Sequence, residues 1–165
     1  AYAANFDSLW IDFSKGLGAP VGAVLAGSKD FIKEAWRWKQ QFGGAMRQSG
    51  IIAAGAVYAL KHHVERLAED HENAQILAQG LAEIDGITVE PVETNLVFFD
   101  VAGLGITASA FNESLIPHEI RFSITGEFVV RGVTHLDVSR AQIEEALDCI
   151  RKVVEKIAAP NPGNV

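Results

Sequence analysis

A helical pattern running from residue 47 to residue 84 limits the fold more than any other feature of the sequence. Leu67, Ala74, Leu77, Leu81 and Ile84 mark one apolar stripe, while Glu65, Glu69, Asp70 and Glu72 mark a wet one. That 3.6-residue period is the mark of an amphipathic helix. The pattern is expected to break near Lys61 to His63, and Gly86 stops it. Before the run, residues 8–13 and 23–26 read as short strands joined by a glycine-rich turn. Ser28 can cap a helix over residues 28–41, with Phe31, Ala35, Trp38 and Phe42 at helical spacing and Gly43-Gly44 as its end. After the run the composition changes. Residues 87–90 and 95–101 read as strands, and residues 107–116 as a helix stopped by Pro117. Residues 120–124 and 128–133 form an expected hairpin across Thr125-Gly126. Ser139 caps a last helix carrying Ile143, Ala146, Leu147, Ile150, Val153 and Val154. The order β-β-α-β-β-α describes a compact α/β module. The expected division is therefore residues 1–60, a linking helix over 61–85, a small domain over 86–158 and a flexible tail over 159–165.

Composition narrows the function classes. At 165 residues and 48% hydrophobic, the chain can bury a sizeable core. Its net charge of −7 argues against a nucleic-acid footprint. No apolar run reaches the roughly 18–20 residues a membrane helix needs; the longest, residues 51–60, ends at Lys61-His62-His63. No basic segment followed by an apolar one opens the chain, so no signal peptide is expected. The single cysteine, Cys149, excludes an internal disulfide framework and suggests a cytoplasmic home. The chain starts without Met and enters an apolar strand almost at once, as expected of a trimmed chain, a cleavage product or half of a larger enzyme.

Three basic residues carry the candidate chemistry. Lys15 follows an apolar strand and opens a turn with three glycines and a proline. A lysine pressed against apolar walls becomes a usable amine nucleophile, able to condense with a carbonyl cofactor. Its plain alternative is a solvated loop lysine. Arg47 lies where a flexible loop enters a helix, a place that favours phosphate or carboxylate; its alternative is an exposed arginine that binds nothing. Arg131 interrupts an apolar strand, Val129-Val130-Arg131-Gly132-Val133. Its planar fork matches a carboxylate, and its partner is Asp137, another structural group or a substrate acid. The five histidines form no H-x-x-x-H pair, and neighbours such as His62 and His63 diverge by about 100° on a helix, so no metal site is expected. Cys149, Trp10, Trp36 and Trp38 are read as core residues.

Together these motifs resemble the L-threonine aldolases, pyridoxal-phosphate enzymes of fold type I in the aspartate aminotransferase superfamily. Ser14-Lys15-Gly16-Leu17-Gly18-Ala19-Pro20-Val21-Gly22 is similar to that family's cofactor-lysine segment. Gly43-Gly44-Ala45-Met46-Arg47-Gln48-Ser49-Gly50 is similar to its glycine-rich loop, with Ala45 where glycine is common. Arg131-Gly132-Val133-Thr134-His135-Leu136-Asp137-Val138-Ser139-Arg140 is similar to its C-terminal signature. Gln40 stands where some members carry lysine.

The resemblance implies an α/β fold: the end of a large cofactor domain, mainly parallel sheet with helices, followed by a small α+β domain. It implies that Lys15 holds pyridoxal 5'-phosphate, Arg47 helps bind its anionic groups and Arg131 grips the substrate carboxylate. It implies cleavage of threonine-like β-hydroxy-α-amino acids to glycine and an aldehyde. Family members are about twice this length. The missing N-terminal half would supply most of the sheet, the ring-stacking residue, the acid at the ring nitrogen and a histidine base. The implied partners are that half, in the same or a separate chain, and further copies in a homodimer or homotetramer. The alternatives are a non-catalytic interaction module, a β-eliminating lyase and a phenylserine aldolase.

Overall fold

The computed structural model describes residues 2–159. Contacts divide the chain into two compact units, Ala1–Leu67 and Ala68–Val165. The expected flexible tail lies, but for Ala159, outside the described residues. No helix among them is long and apolar enough to cross a membrane.

The first unit is built on a hairpin. Strand β1 (Ser8–Asp12) pairs antiparallel with β2 (Ala23–Gly27), with Trp10 opposite Leu25. Helix α1 (Lys29–Gln41) starts where it should, because Ser28 Oγ accepts the Phe31 N–H at 3.2 Å. It ends in a double main-chain closure: Gly44 N–H donates to Lys39 O at 2.8 Å and Gly43 N–H to Gln40 O at 3.1 Å. This closure puts Gly43 at φ +71°, a conformation glycine adopts without cost. Helix α2 (Gly50–His62) follows. The long helical run is thus interrupted just past His62.

This unit's core is small. Phe13, Leu17, Ala19 and Ala59 are buried, with Ala56 and Leu67 packed on them. No residue of α1 is buried. The tryptophans expected in the core are instead exposed, Trp10 at 65%, Trp36 at 57% and Trp38 at 51%. The reason is that four buried residues cannot cover a hairpin and two helices; the apolar stripe of α1 has no facing layer among the described residues. Phe31, Phe42, Ile51 and Tyr58 share that exposure. A two-stranded sheet also leaves an unpaired edge on each strand.

The second unit closes on itself. Helix α3 (Leu67–Ala82) leads to β3 (Thr88–Val89), β4 (Leu96–Asp100), α4 (Ala108–Leu115), β5 (Ser123–Ile124), β6 (Val129–Val133) and α5 (Arg140–Ala158). The strands form one antiparallel sheet in the order β3-β4-β6-β5. One face, with Val97, Phe99 and Val130 almost fully buried, packs with Leu77 and Leu81 of α3, Phe111 of α4 and Ile150 of α5. Phe99 meets Phe111 and Phe122 edge to face at 6.0 and 5.4 Å. Ser139 and Gln142 cap each other's ends at the start of α5.

Asp70 departs from its expected place on the wet side of α3. It is fully buried, and its carbonyl accepts the Thr134 hydroxyl at 2.6 Å. Its position explains this: Asp70 stands four residues before Ala74 and seven before Leu77, squarely on the apolar stripe.

Gly80 shows how tightly this core is filled. A Cβ there would stand 2.7 Å from Leu147 Cδ2 and 3.1 Å from its Cγ. Leu147 is 5% exposed, so it has little room to withdraw. Helix propensity alone favours Gly80→Ala by about 1 kcal/mol. Overpacking costs about 1–3 kcal/mol and wins. Urea unfolding of the complete protein should show a net loss of stability for G80A; a gain would mean that Leu147 moves aside freely.

Candidate active site

Lys15 sits in the loop between β1 and β2. Three main-chain bonds cross the loop: Gly18 N–H donates to Lys15 O at 2.8 Å, Ala19 N–H to Phe13 O at 2.8 Å and Phe13 N–H to Gly22 O at 2.9 Å. Gly18 takes φ +64° to make the turn. None of these three bonds uses the lysine side chain. Phe13 and Leu17 turn inward and are buried, while Ser14 and Lys15 are exposed. The cover that would take the Lys15 amine out of water is not supplied by its own turn.

Asp12 ends β1 beside it. Its Oδ1 accepts from Ser14 Oγ at 2.8 Å and from Ser14 N–H at 3.0 Å. These two bonds, the hydroxyl first, hold the Asp12 carboxyl below the usual carboxylate range, and the Lys15 charge adds a smaller push in the same direction. A lowered acid stabilises the fold above its ordinary pKa and loses that contribution as pH falls through the lowered value. Ser14→Ala should therefore raise the Asp12 titration point in an NMR titration and move the onset of acid loosening to higher pH. An unmoved titration would assign the effect to other groups.

Arg47 is exposed in the loop before α2. Its neighbour Gln48 takes φ +51°, and Ile51 N–H donates to Gln48 O at 3.2 Å as the helix begins. The guanidinium thus stands three residues ahead of the first helical residue.

Arg131 belongs to the second unit, in the middle of β6. It lies opposite Phe98 of β4 and Ser123 of β5, and opposite residues share a face. That face is the one turned away from Val97, Phe99 and Val130, and it also bears half-exposed Leu96 and Val133. An Arg131 terminal N–H donates to Ser123 Oγ at 3.3 Å. The Nε is buried with no hydrogen-bond partner among the described residues. Asp137, one partner suggested by the sequence, lies beyond the strand in a turn closed by Val138 N–H to His135 O, and its Oδ1 is 3.2 Å from His135 Nδ1 instead.

Two further features escaped the sequence. Asn95 clamps the end of β6, its Nδ2 donating to Thr134 O at 2.8 Å and its own O accepting the Thr134 N–H at 3.0 Å. His63 places Nδ1 2.6 Å from Leu17 O, within the lysine turn. Both contacts join residues far apart in sequence, and no local pattern announces them. Cys149 is half-buried against the main core.

The sequence profile of the Beta-eliminating lyase family matches residues 1–103. The chain belongs to this family. It is 48% identical over 139 residues to the low specificity L-threonine aldolase of Escherichia coli (strain K12), covering 84% of this chain and 40% of that protein. It is 35% identical over 158 residues to the low-specificity L-threonine aldolase 1 of Arabidopsis thaliana, covering 94% and 44%. The crystal structure of a putative L-allo-threonine aldolase from Listeria monocytogenes superposes with a TM-score of 0.70 at 25% identity, covering 93% of this chain and 45% of that one. The chain therefore spans well under half the length of the relatives it matches. The fold is that of one part of a fold type I enzyme.

The residues present fit the cofactor expected of such a fold. An amine exposed on a main-chain-fixed turn and an exposed guanidinium at a helix entrance suit an aldehyde that carries a phosphate. The orphaned Nε of Arg131 suits a carboxylate.

Proposed function

We propose that the complete protein is a pyridoxal-phosphate-dependent aldolase. It cleaves β-hydroxy-α-amino acids of the threonine type to glycine and an aldehyde. The observation that carries this reading is Arg131: a strand arginine with a buried, unsatisfied Nε on an open sheet face, inside a chain similar to threonine aldolases. An unpaired buried donor is costly, about 1–3 kcal/mol, so its retention argues for a guest acid.

Bound at Lys15, the cofactor supplies an electron sink for the pair left at the amino acid's Cα. The residues of this chain do the rest of what can be assigned. The Lys15 amine holds the cofactor aldehyde. Arg47 balances its anionic charge. Arg131 takes the substrate carboxylate in its fork and so fixes which Cα bond faces the reacting plane. Cleavage then breaks Cα–Cβ. The β-hydroxyl loses its proton as it becomes the aldehyde, and Cα gains one to give glycine.

The N-terminal half and further copies in a dimer or tetramer are the proposed partners. The exposed Trp10, Trp36, Trp38, Phe42 and Ile51 support this, since such a surface needs cover. The single free cysteine supports a cytoplasmic home.

Product analysis tests the reading. The complete protein with pyridoxal phosphate and L-threonine or L-allo-threonine should yield glycine and acetaldehyde in equal amounts. Ammonia with a 2-oxo acid would favour β-elimination, the chemistry for which the matching family is named. No turnover would favour an interaction module.

A further inference from the structure

The loop that carries Lys15 contains one peptide unit gripped at both poles. Between Leu17 and Gly18, the N–H of Gly18 donates to Lys15 O at 2.8 Å. The carbonyl of the same unit, Leu17 O, lies 2.6 Å from His63 Nδ1. A carbonyl oxygen only accepts, so the ring is the donor and its proton sits on Nδ1. His63 follows the last residue of α2, and its ring is half-buried. Tyr58 stands edge to face against it at 5.5 Å, which restrains its rotation. Below the turn, the Leu17 side chain is 8% exposed and packs with Phe13, Ala19 and Ala59. The helix therefore holds the turn through a hydrogen bond above and a small core beneath.

The need for such a hold follows from the sequence. Gly16 and Gly18 flank Leu17, and glycine leaves a peptide unit free to rotate. A rotation there would swing the backbone from which the Lys15 side chain departs. We infer that His63 is a positioning residue for Lys15: by donating to Leu17 O it locks the Leu17–Gly18 peptide, and thereby the direction of the lysine amine. This inference rests on the reading of Lys15 as the cofactor amine. It assigns His63 no part in proton transfer.

The test uses the complete protein and pyridoxal phosphate. Borohydride reduction followed by peptide mapping gives the rate and the place of cofactor capture. His63→Phe keeps a ring beside Tyr58 but has no donor. His63→Asn puts an amide N–H close to where Nδ1 stood and cannot titrate. Small misplacements of a reacting group cost large factors in rate. Capture at Lys15 and kcat should both fall about tenfold in H63F, at an unchanged Tm. H63N should restore both, with the wild-type pH profile. If H63F proves insoluble, His63→Gln, whose amide reaches one atom too far, takes its place and should show the same loss.

Capture at Lys15 at the wild-type rate in H63F or H63Q would overturn the inference while leaving the role of Lys15 intact. So would H63N failing together with the loss of one limb of the pH profile, because that would make His63 a titrating group. Wild-type protein that captures the cofactor on another lysine, or on none, would remove the reading of Lys15 and this inference with it.

Discussion

Lys15→Ala in the complete protein should reduce threonine cleavage by roughly four orders of magnitude or more, the scale on which removing a covalent catalytic group acts. Alanine removes the amine and leaves the main-chain bonds of the loop in place. The loop is closed by Gly18 N–H to Lys15 O, Ala19 N–H to Phe13 O and Phe13 N–H to Gly22 O, none of which involves the side chain. Phe13 and Leu17, which anchor the loop, stay in place. Circular dichroism and Tm should therefore match the wild type while activity is lost. Lys15→Arg should be equally inactive, since a guanidinium keeps the charge but does not deprotonate to attack an aldehyde. Activity within tenfold of wild type in K15A would show that the amine is a solvated loop lysine.

Arg131 gives the second large effect, and its sign in stability is as informative as its size in activity. Arg131→Ala should weaken amino-acid binding by about 2–3 kcal/mol, the lower part of the range for truncating one side of a buried charged pair. That corresponds to a rise in KM of about 30- to 150-fold. Arg131→Lys should recover little, because an ammonium lacks the fork that meets two carboxylate oxygens at once. Stability should move the other way. Among the described residues Arg131 makes one long bond, 3.3 Å to Ser123 Oγ, and buries an unsatisfied Nε. Arg131→Met keeps the apolar stem and removes the orphaned donor, so the unliganded protein should be as stable as wild type or slightly more so. An arginine retained for structure would behave oppositely: R131M would unfold in less urea, and KM would hardly change.

What could be read in the sequence was local. Ser28, Ser139 and Gly43 announce helix ends through contacts within a few residues, and the structure places those ends there. The hairpin around Thr125-Gly126 and the order of strands and helices after residue 86 follow equally from short-range patterning. Burial was harder, because it depends on what lies opposite. Trp10, Trp36 and Trp38 have apolar character that predicts a core, yet among the described residues their unit buries only four. Asp70 shows the reverse error. Its charge predicts a wet face, its spacing predicts the stripe, and the spacing was right.

The candidate site divides along the same line. Lys15, Arg47 and Arg131 could be proposed from the sequence because each sits in a motif of adjacent residues. The bond from His63 to Leu17 spans 46 positions, and that from Thr134 to Asp70 spans 64. Such contacts are made by the fold and leave no local trace. Asp137 was a reasonable partner for Arg131 by proximity in sequence, but the chain turns after Val133 and pairs it with His135.

The central claim is that the cofactor is held by one particular amine. The complete protein, saturated with pyridoxal phosphate, reduced with borohydride and digested, should yield a single phosphopyridoxyl peptide, the one that contains Ser14-Lys15-Gly16, with the modification on Lys15. A modification spread over surface lysines such as Lys29, Lys33 and Lys39, or an unmodified Lys15, would contradict the account.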